Sequence, residues 1–491
     1  MPKRKKVTLV SLPILLVLLA VLAHWCWRRA APKKPDPIPP GDYAYTVDYA
    51  EHTIHRLMKQ HHLPSVAVAL IDDQETIWQK AFGLANVEKD TSATTSTVYK
   101  LWSVAKVFAA IETMRLVEEG RVDLDAPITD YLPDFSIQSR FADSEPITIR
   151  SILAHRSGLP RNECHWIPYR PWDQDILEKM VASLKDCYMA YPVGHRYKYS
   201  NMGPDLLGYL VEELRGENYP HYMKENLLTP IAMENSAFLS AGIPAQGDLA
   251  LGYEYYKGDY YPLEQGDITS FPSGNLYSTL EDMSAFAKFV FRGGEANGRQ
   301  VIKPETLTLM FEDQFGSQRD PQPMGLGWKT ARVLRSELLV WHDGGPDDGT
   351  GSLVALLPER KLGIVLFANE ISFGGPVAVS LAIEVLERML ETKYGVIPPE
   401  DKTQEPIGLD RAVLGGYVGR YIAFGQVMDV SLSGGRLKGK IQGMKLDLIP
   451  VDQTRFRVGH WLLNLGLADL LALPMDLREL EIEFLVGDET E

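Results

Sequence analysis

Three short stretches carry side chains that could act together on an acyl group. The first is Ser103-Val104-Ala105-Lys106. A serine hydroxyl is a poor nucleophile until a base removes its proton, and a lysine amine serves once burial or neighbours lower its pKa. Three residues apart on a helix, the two side chains are neighbours on one face. A helix amino terminus also sets backbone N–H groups and a positive dipole end beside a developing oxyanion. The second stretch is Tyr199-Ser200-Asn201. A tyrosine near a lysine can become a phenolate base, and an asparagine amide can hold a substrate carbonyl. The third is Trp341-His342-Asp343-Gly344-Gly345. Its glycines let a substrate lie against a strand edge, and a backbone N–H beyond the histidine could complete an oxyanion hole. Singly, each is weak. On the order of one or two Ser-x-x-Lys tetrapeptides are expected by chance in a chain of this composition, and a loop aromatic or a hairpin turn accounts for the others.

The elements that must position these residues are legible in outline. Ser65 to Asp72 and Glu75 to Leu84 are β-rich runs around an Asp-Asp-Gln turn, which predicts an antiparallel hairpin. From Ser103 the period changes, and Val107, Ala110, Ile111, Met114 and Val117 recur at helical spacing until Gly120. The middle, from about Ile147 to Gly294, reads as a helical region, with a helix from Asp205 to Arg215 stopped by Gly216. Strand character returns at Leu338 to Trp341, Ser352 to Leu357 and Gly363 to Ala368, before a helix-period run from Val377 to Leu390. Strands at both ends of the chain with helices between them predict an α+β fold whose sheet joins sequence-distant strands. Past about Pro406, short alternating segments with glycine turns predict a small β-barrel or sheet module.

With 491 residues, 45% of them hydrophobic, the chain is long enough for two or three domains. A net charge of −15 with scattered Lys and Arg argues against nucleic acid. The three cysteines, Cys26, Cys164 and Cys187, lack zinc-site spacing. Cys164 and Cys187 could pair in an oxidising compartment or be separate buried thiols. At the amino terminus, Lys3 to Lys6 precede an uncharged run from Val7 to Trp27, about the 20 residues that a bilayer span requires. That length fits a retained single-pass anchor better than a cleaved signal, whose apolar core is shorter. Five prolines between Ala31 and Pro40 suit a stiff spacer. The expected organisation is therefore an anchor over 1–30, a linker over 31–44, a catalytic domain over 45–398 and a β-rich module over 406–491.

Taken together and in order, the three motifs resemble those of serine β-lactamases and penicillin-binding proteins. Tyr-x-Asn in second place is similar to class C β-lactamases and their relatives among esterases, D-aminopeptidases and D,D-carboxypeptidases. Leu116-Val117-Glu118-Glu119-Gly120, Tyr131-Leu132-Pro133, the stretch Ile147 to Pro160, Gly274 to Thr279, Gly325 to Trp328 and Phe367-Ala368-Asn369 also resemble the family. The likeness runs from about residue 45 to 395, and the carboxy-terminal module resembles a lipocalin-like extension. The resemblance implies a β-lactamase/transpeptidase-like fold and an acyl-enzyme on Ser103, activated by Lys106, with Tyr199 as shared acid and base. It also implies that Asn201, His342 and Gly344 bind substrate, that the backbone N–H groups of Ser103 and Gly345 form the oxyanion hole, and that no metal or organic cofactor is required. His342 stands where many family members have a lysine. A mostly neutral imidazole is a poor partner for a substrate carboxylate, so an esterase, amidase or peptidase is expected ahead of a D,D-carboxypeptidase or β-lactamase. A catalytically silent scaffold is the third reading. The family's usual location implies an extracytoplasmic catalytic domain acting on small molecules or peptides.

Overall fold

The computed structural model describes residues 32–162, 173–243, 249–316, 323–334, 336–345, 348–395, 406–423, 426–441, 444–459 and 481–483. Three strands come early in the chain: β1 (Ser65–Asp72), β2 (Glu75–Asn86) and β3 (Thr91–Ser92). Four come from far downstream: β4 (Lys329–Val333), β5 (Glu337–Gly344), β6 (Gly351–Leu357) and β7 (Leu362–Ala368). They form one seven-stranded sheet in the order β4-β5-β6-β7-β1-β2-β3, with antiparallel neighbours throughout. β1, β6 and β7 are apolar along almost their whole length because both faces of the sheet are covered there. The expected hairpin and the join between distant strands both form.

Side chains alternate between two cores. On one face Val66, Val68, Leu70, Leu353 and Leu366 pack against Ala50 and Ile54 of α1 (Ala44–His61) and Leu381, Val385 and Met389 of the carboxy-terminal helix Gly375–Tyr394. On the other face Ala67, Ala69, Val340, Val354 and Phe367 share a core with α2 (Ala105–Glu118), α3 (Met202–Arg215) and α4 (Leu280–Phe291), of which α4 lies directly on β1, β6 and β7. The helix α1 was not foreseen. Its buried positions include Thr46 and Thr53, so its inward face is too polar to stand out as a hydrophobic stripe.

The expected helix after Ser103 differs in two respects. It opens as a 3₁₀ turn over Trp102–Val104 before becoming α-helical. It also has no single apolar face, since every residue from Ala105 to Met114 is buried. A helix enclosed by a sheet and other helices must bury its polar groups with partners. Glu112 accordingly meets Arg115 Nη1 at 2.6 Å, Arg215 Nη2 at 2.7 Å and the Tyr222 hydroxyl at 2.9 Å.

The carboxy-terminal strands are β8 (Gly419–Ala423), β9 (Gln426–Ser433), β10 (Arg436–Ile441), β11 (Met444–Pro450), β12 (Arg455–Gly459) and β13 (Glu481–Glu483). They form an antiparallel meander in chain order over a small core that includes Val430, Leu437, Leu448 and Phe456. The expected β-rich module forms as a sheet, and among the described residues no pairing joins its first strand to its last. The Val7 to Trp27 run lies outside the described residues, and no described helix is long and apolar enough to cross a membrane. Cys187 is disulfide-bonded; Cys26 and Cys164 lie outside the described residues.

Candidate active site

Ser103 occupies the 3₁₀ turn that joins the sheet side of the molecule to α2. Trp102, just before it, has a left-handed backbone with φ of 49°, a conformation that costs a bulky residue about 1–3 kcal/mol and persists only where its surroundings enforce it. Here the Trp102 indole N–H donates to Asp348 Oδ1 at 2.7 Å and Thr350 Oγ1 at 3.0 Å. The Lys100 ammonium lies 4.1 Å from the Trp102 ring and 3.9 Å from Asp348 Oδ2. The Ser352 hydroxyl donates to the Leu101 carbonyl at 2.6 Å. Strand β6 and the loop before it thus fix the backbone that presents Ser103.

The end of β5 stands against the same turn. A Cβ at Gly344 would collide with the Leu101 carbonyl oxygen and crowd Ser352 Oγ. The following Gly345 has φ of 119°. Ser103 and Gly345, whose N–H groups are the expected oxyanion donors, therefore belong to adjoining segments. Gly344→Ala is expected to cost about 1–3 kcal/mol of stability by overpacking. It should also lower Ser103 reactivity in whatever protein folds, as read from a urea midpoint and from labelling of Ser103. An unchanged midpoint would show that the turn does not need this close approach.

Two side chains converge on Ser103. Lys106 Nζ is 2.9 Å from Ser103 Oγ, and the Tyr199 hydroxyl donates to Ser103 Oγ at 2.7 Å. Lys106 Nζ also donates to the Ser273 carbonyl at 2.5 Å and lies 5.1 Å from the centre of the Tyr199 ring. Tyr199 and its neighbours enter α3 from an anchored stretch. Ser200 donates its hydroxyl to the Pro160 carbonyl at 2.7 Å and its N–H to His155 Nδ1 at 3.3 Å. The His155 and Tyr199 rings are 4.6 Å apart. Asn201, at the head of α3, donates its amide to Asn162 Oδ1 at 2.8 Å.

The third motif contributes differently. His342 has no exposed surface. Its Nδ1 lies 2.9 Å from the Asp343 carbonyl oxygen, and its Nε2 is buried without a hydrogen-bond partner among the described residues. Asp343 is paired with Lys329. What β5 brings next to Ser103 is glycine backbone rather than a cationic side chain.

Burial sets the protonation states. Desolvation drives the Lys106 amine down to about 7, with Asp205 and Asp343 opposing and Arg161 and Lys329 assisting. Desolvation raises the Asp205 carboxyl, while the Lys106 cation pulls it back. Burial pushes the Tyr199 phenol above its ordinary range even though Ser103 bonds to it, so it rests as a protonated donor. His342 and His155 are held well below the usual histidine range by desolvation and by nearby cations. Among the described residues no group of three His, Cys, Asp or Glu side chains is placed to hold a metal ion.

Sequence reasoning did not assign Asp205, Ser273, Trp102 or His155 to the site. Asp205 had a signal, since it is an acidic residue among buried positions of α3. Ser273 contributes a backbone carbonyl, which no residue type announces.

This sheet, its enclosed helix and a serine met by a lysine and a tyrosine define a protein of the serine β-lactamase and penicillin-binding class. A family model described as Beta-lactamase matches residues 50–381, and the chain belongs to that family. Unguisins hydrolase ungD' of Aspergillus campestris is 27% identical over 357 residues, covering 70% of this chain and 65% of that protein. Protein flp of Staphylococcus aureus is 25% identical over 327 residues, covering 64% of this chain and 61% of its own. The match thus spans less than two thirds of either relative. Beta-lactamase-like protein 2 of Dictyostelium discoideum is 28% identical over 377 residues, covering 74% of this chain and 67% of that protein. Among solved structures, the octameric penicillin-binding protein homologue from Pyrococcus abyssi superposes with a TM-score of 0.62 at 23% identity, over 84% of this chain and 93% of that one. EstCE1, a hydrolase with promiscuous acyltransferase activity, gives 0.58 at 17% identity, over 70% of this chain and 98% of its own.

Proposed function

We propose that this chain is a serine hydrolase that forms an acyl-enzyme on Ser103 and releases it to water, acting on esters or small amides and peptides. The observation that carries this reading is the convergence of Lys106 Nζ and the Tyr199 hydroxyl on Ser103 Oγ, at 2.9 and 2.7 Å. Lys106 in its neutral form accepts the Ser103 proton as Oγ bonds to the substrate carbonyl carbon. The carbonyl electrons move onto oxygen, where the N–H groups of Ser103 and Gly345 receive the charge. Collapse expels the alkoxide or amine, which takes the Tyr199 hydroxyl proton, and Lys106 passes the proton it received from Ser103 to the phenolate, restoring both groups. Water then repeats the sequence on the acyl-enzyme. Asn201 exchanges its bond to Asn162 for one to the substrate amide.

The state of His342 supports an uncharged acyl group over a β-lactam or a D-alanine terminus, because a buried neutral imidazole offers no cation to a substrate carboxylate. The relative from Aspergillus campestris is named a hydrolase, which supports catalysis over a silent scaffold. We assign the catalytic unit to 45–398 and a lipocalin-like unit to 406–491. We also assign an extracytoplasmic location behind a single-pass anchor. The uncharged run from Val7 to Trp27 and the disulfide on Cys187 support that location.

A fluorophosphonate probe on the full chain, with a panel of p-nitrophenyl esters, D-amino-acid peptides and a chromogenic β-lactam, tests the reading. Labelling of Ser103 and ester or amide turnover are expected; absence of both in folded protein sinks it. The pH dependence follows from Lys106. Its neutral form is the active one, so labelling should rise with pH through about 7 and fall away on the acid side. A rate independent of pH across that window would exclude Lys106 as the base.

A further inference from the structure

Asp205 projects from α3 into the space beneath Lys106 and has no exposed surface. Its Oδ1 accepts the Ser273 N–H at 3.0 Å. The carbonyl of the same Ser273 accepts Lys106 Nζ at 2.5 Å. One peptide residue therefore links the carboxylate to the amine. The link is tight because Ser273 lies in the helical turn Phe271–Gly274, which packs closely on α3 at Gly208, where a Cβ would collide with the Pro272 ring. The other carboxylate oxygen, Oδ2, is buried with no hydrogen-bond partner among the described residues, while the Ser270 and Ser273 hydroxyls also favour the ionised form of the group. A buried carboxylate in a well-packed protein is retained at considerable cost unless something compensates its charge.

We infer that Asp205 is the positioning residue of Lys106: it holds the Ser273 turn that aims the amine at Ser103, and it is the buried counter-charge that receives the ammonium formed when Ser103 gives up its proton. The inference rests on the hydrolase reading for its chemistry, and the titration described below stands without it. Proton transfer from Ser103 Oγ to Lys106 Nζ turns a neutral amine into a cation in a dry site. With Asp205 ionised, that step makes an ion pair instead of an isolated charge. The other charges acting on Lys106 are Asp343, Arg161 and Lys329, while His155 and His342 feel the lysine in turn. Asp343 is already paired with Lys329, and Arg161, whose guanidinium lies 5.7 Å from the Tyr199 ring centre, carries the same charge as the ammonium and lowers the amine's pKa instead of stabilising it. On the Asp205 side, the buried Tyr219 phenol also feels the carboxylate. Asp205 is thus the fully buried carboxyl group whose charge bears most strongly on the amine.

The test is the rate of Ser103 labelling by a fluorophosphonate as a function of pH, on the full chain and on Asp205→Asn. Asparagine keeps an acceptor for the Ser273 N–H but removes the charge. Loss of an anion lowers the lysine's pKa, so the acid limb should move down by about one pH unit or more. The weaker base should also lower the plateau by about tenfold. A merely structural role would lower the rate without moving the limb, and an unmoved limb in folded Asp205→Asn overturns the inference. Wild-type protein that never labels sinks the hydrolase reading instead. Independently of turnover or of the variant's folding, ¹³C NMR of wild-type protein labelled at Asp Cγ and Lys Cε should show Asp205 and Lys106 titrating as one coupled pair near neutrality. Two separate steps, neither disturbing the other, would overturn the inference by themselves.

Discussion

Replacing Ser103 by alanine is expected to lower turnover and probe labelling by about 10⁴–10⁶-fold while leaving the fold intact. Ser103 Oγ is the one atom that both Lys106 and the Tyr199 hydroxyl reach. Without it the base has no proton to take and the acyl group has no oxygen to bond. What survives is the contribution of the N–H groups and of substrate binding alone. The hydroxyl is partly exposed in a strained turn, so its removal should change stability by less than about 1 kcal/mol. Thermal unfolding beside single-turnover ester hydrolysis checks both halves. Retained labelling elsewhere in the chain would relocate the nucleophile.

Lys106→Ala should lower acylation by about 10²–10⁴-fold, the range lost with a general base, and it carries a second signature in stability. In the wild-type protein the raised Asp205 carboxyl binds more protons folded than unfolded, so its contribution falls as pH rises from about 4 toward about 7. The lowered Lys106 amine binds fewer protons folded than unfolded, so stability recovers as pH rises from about 7 toward about 10. Removing the lysine deletes that recovery. It also deprives Asp205 of its cation, which raises the carboxyl further and extends its unfavourable range upward. Urea midpoints of the two proteins should therefore diverge as the medium becomes alkaline, with the variant the less stable. Parallel curves would mean that the two groups do not share a charged environment.

Local pattern was enough for much of the scaffold. The almost wholly apolar β1, β6 and β7 and the helical period after Ser103 point to their own conformations, because strand and helix periods differ and each run is long enough to show one. The helix α1 escaped notice because its inward positions include threonines whose burial is decided by neighbours, Thr46 being held by Thr392 at 3.1 Å. The carboxy-terminal segments read as strands for the same reason that β2 does, but alternation along a strand says nothing about whether a meander closes on itself.

At the site, the sequence by itself determined that a serine and a lysine three residues apart share a helix face, and that a Tyr-x-Asn and a His-Asp-Gly follow in the order of the family. Spacing of this kind is local, so it survives any arrangement of the rest. Only the tertiary structure decided which atoms meet. It brought the Tyr199 hydroxyl to Ser103 across 96 residues and the Ser273 carbonyl to Lys106 across 167. It turned His342 inward, where a dry environment keeps it neutral, and it set an acidic helix residue, Asp205, behind the lysine. These are outcomes of burial and close approach between distant segments, and the pKa of Lys106 depends on them more than on the residue's own chemistry. The Ser-x-x-Lys tetrapeptide names the pair proposed to react; the packing around it lowers the pKa of the amine.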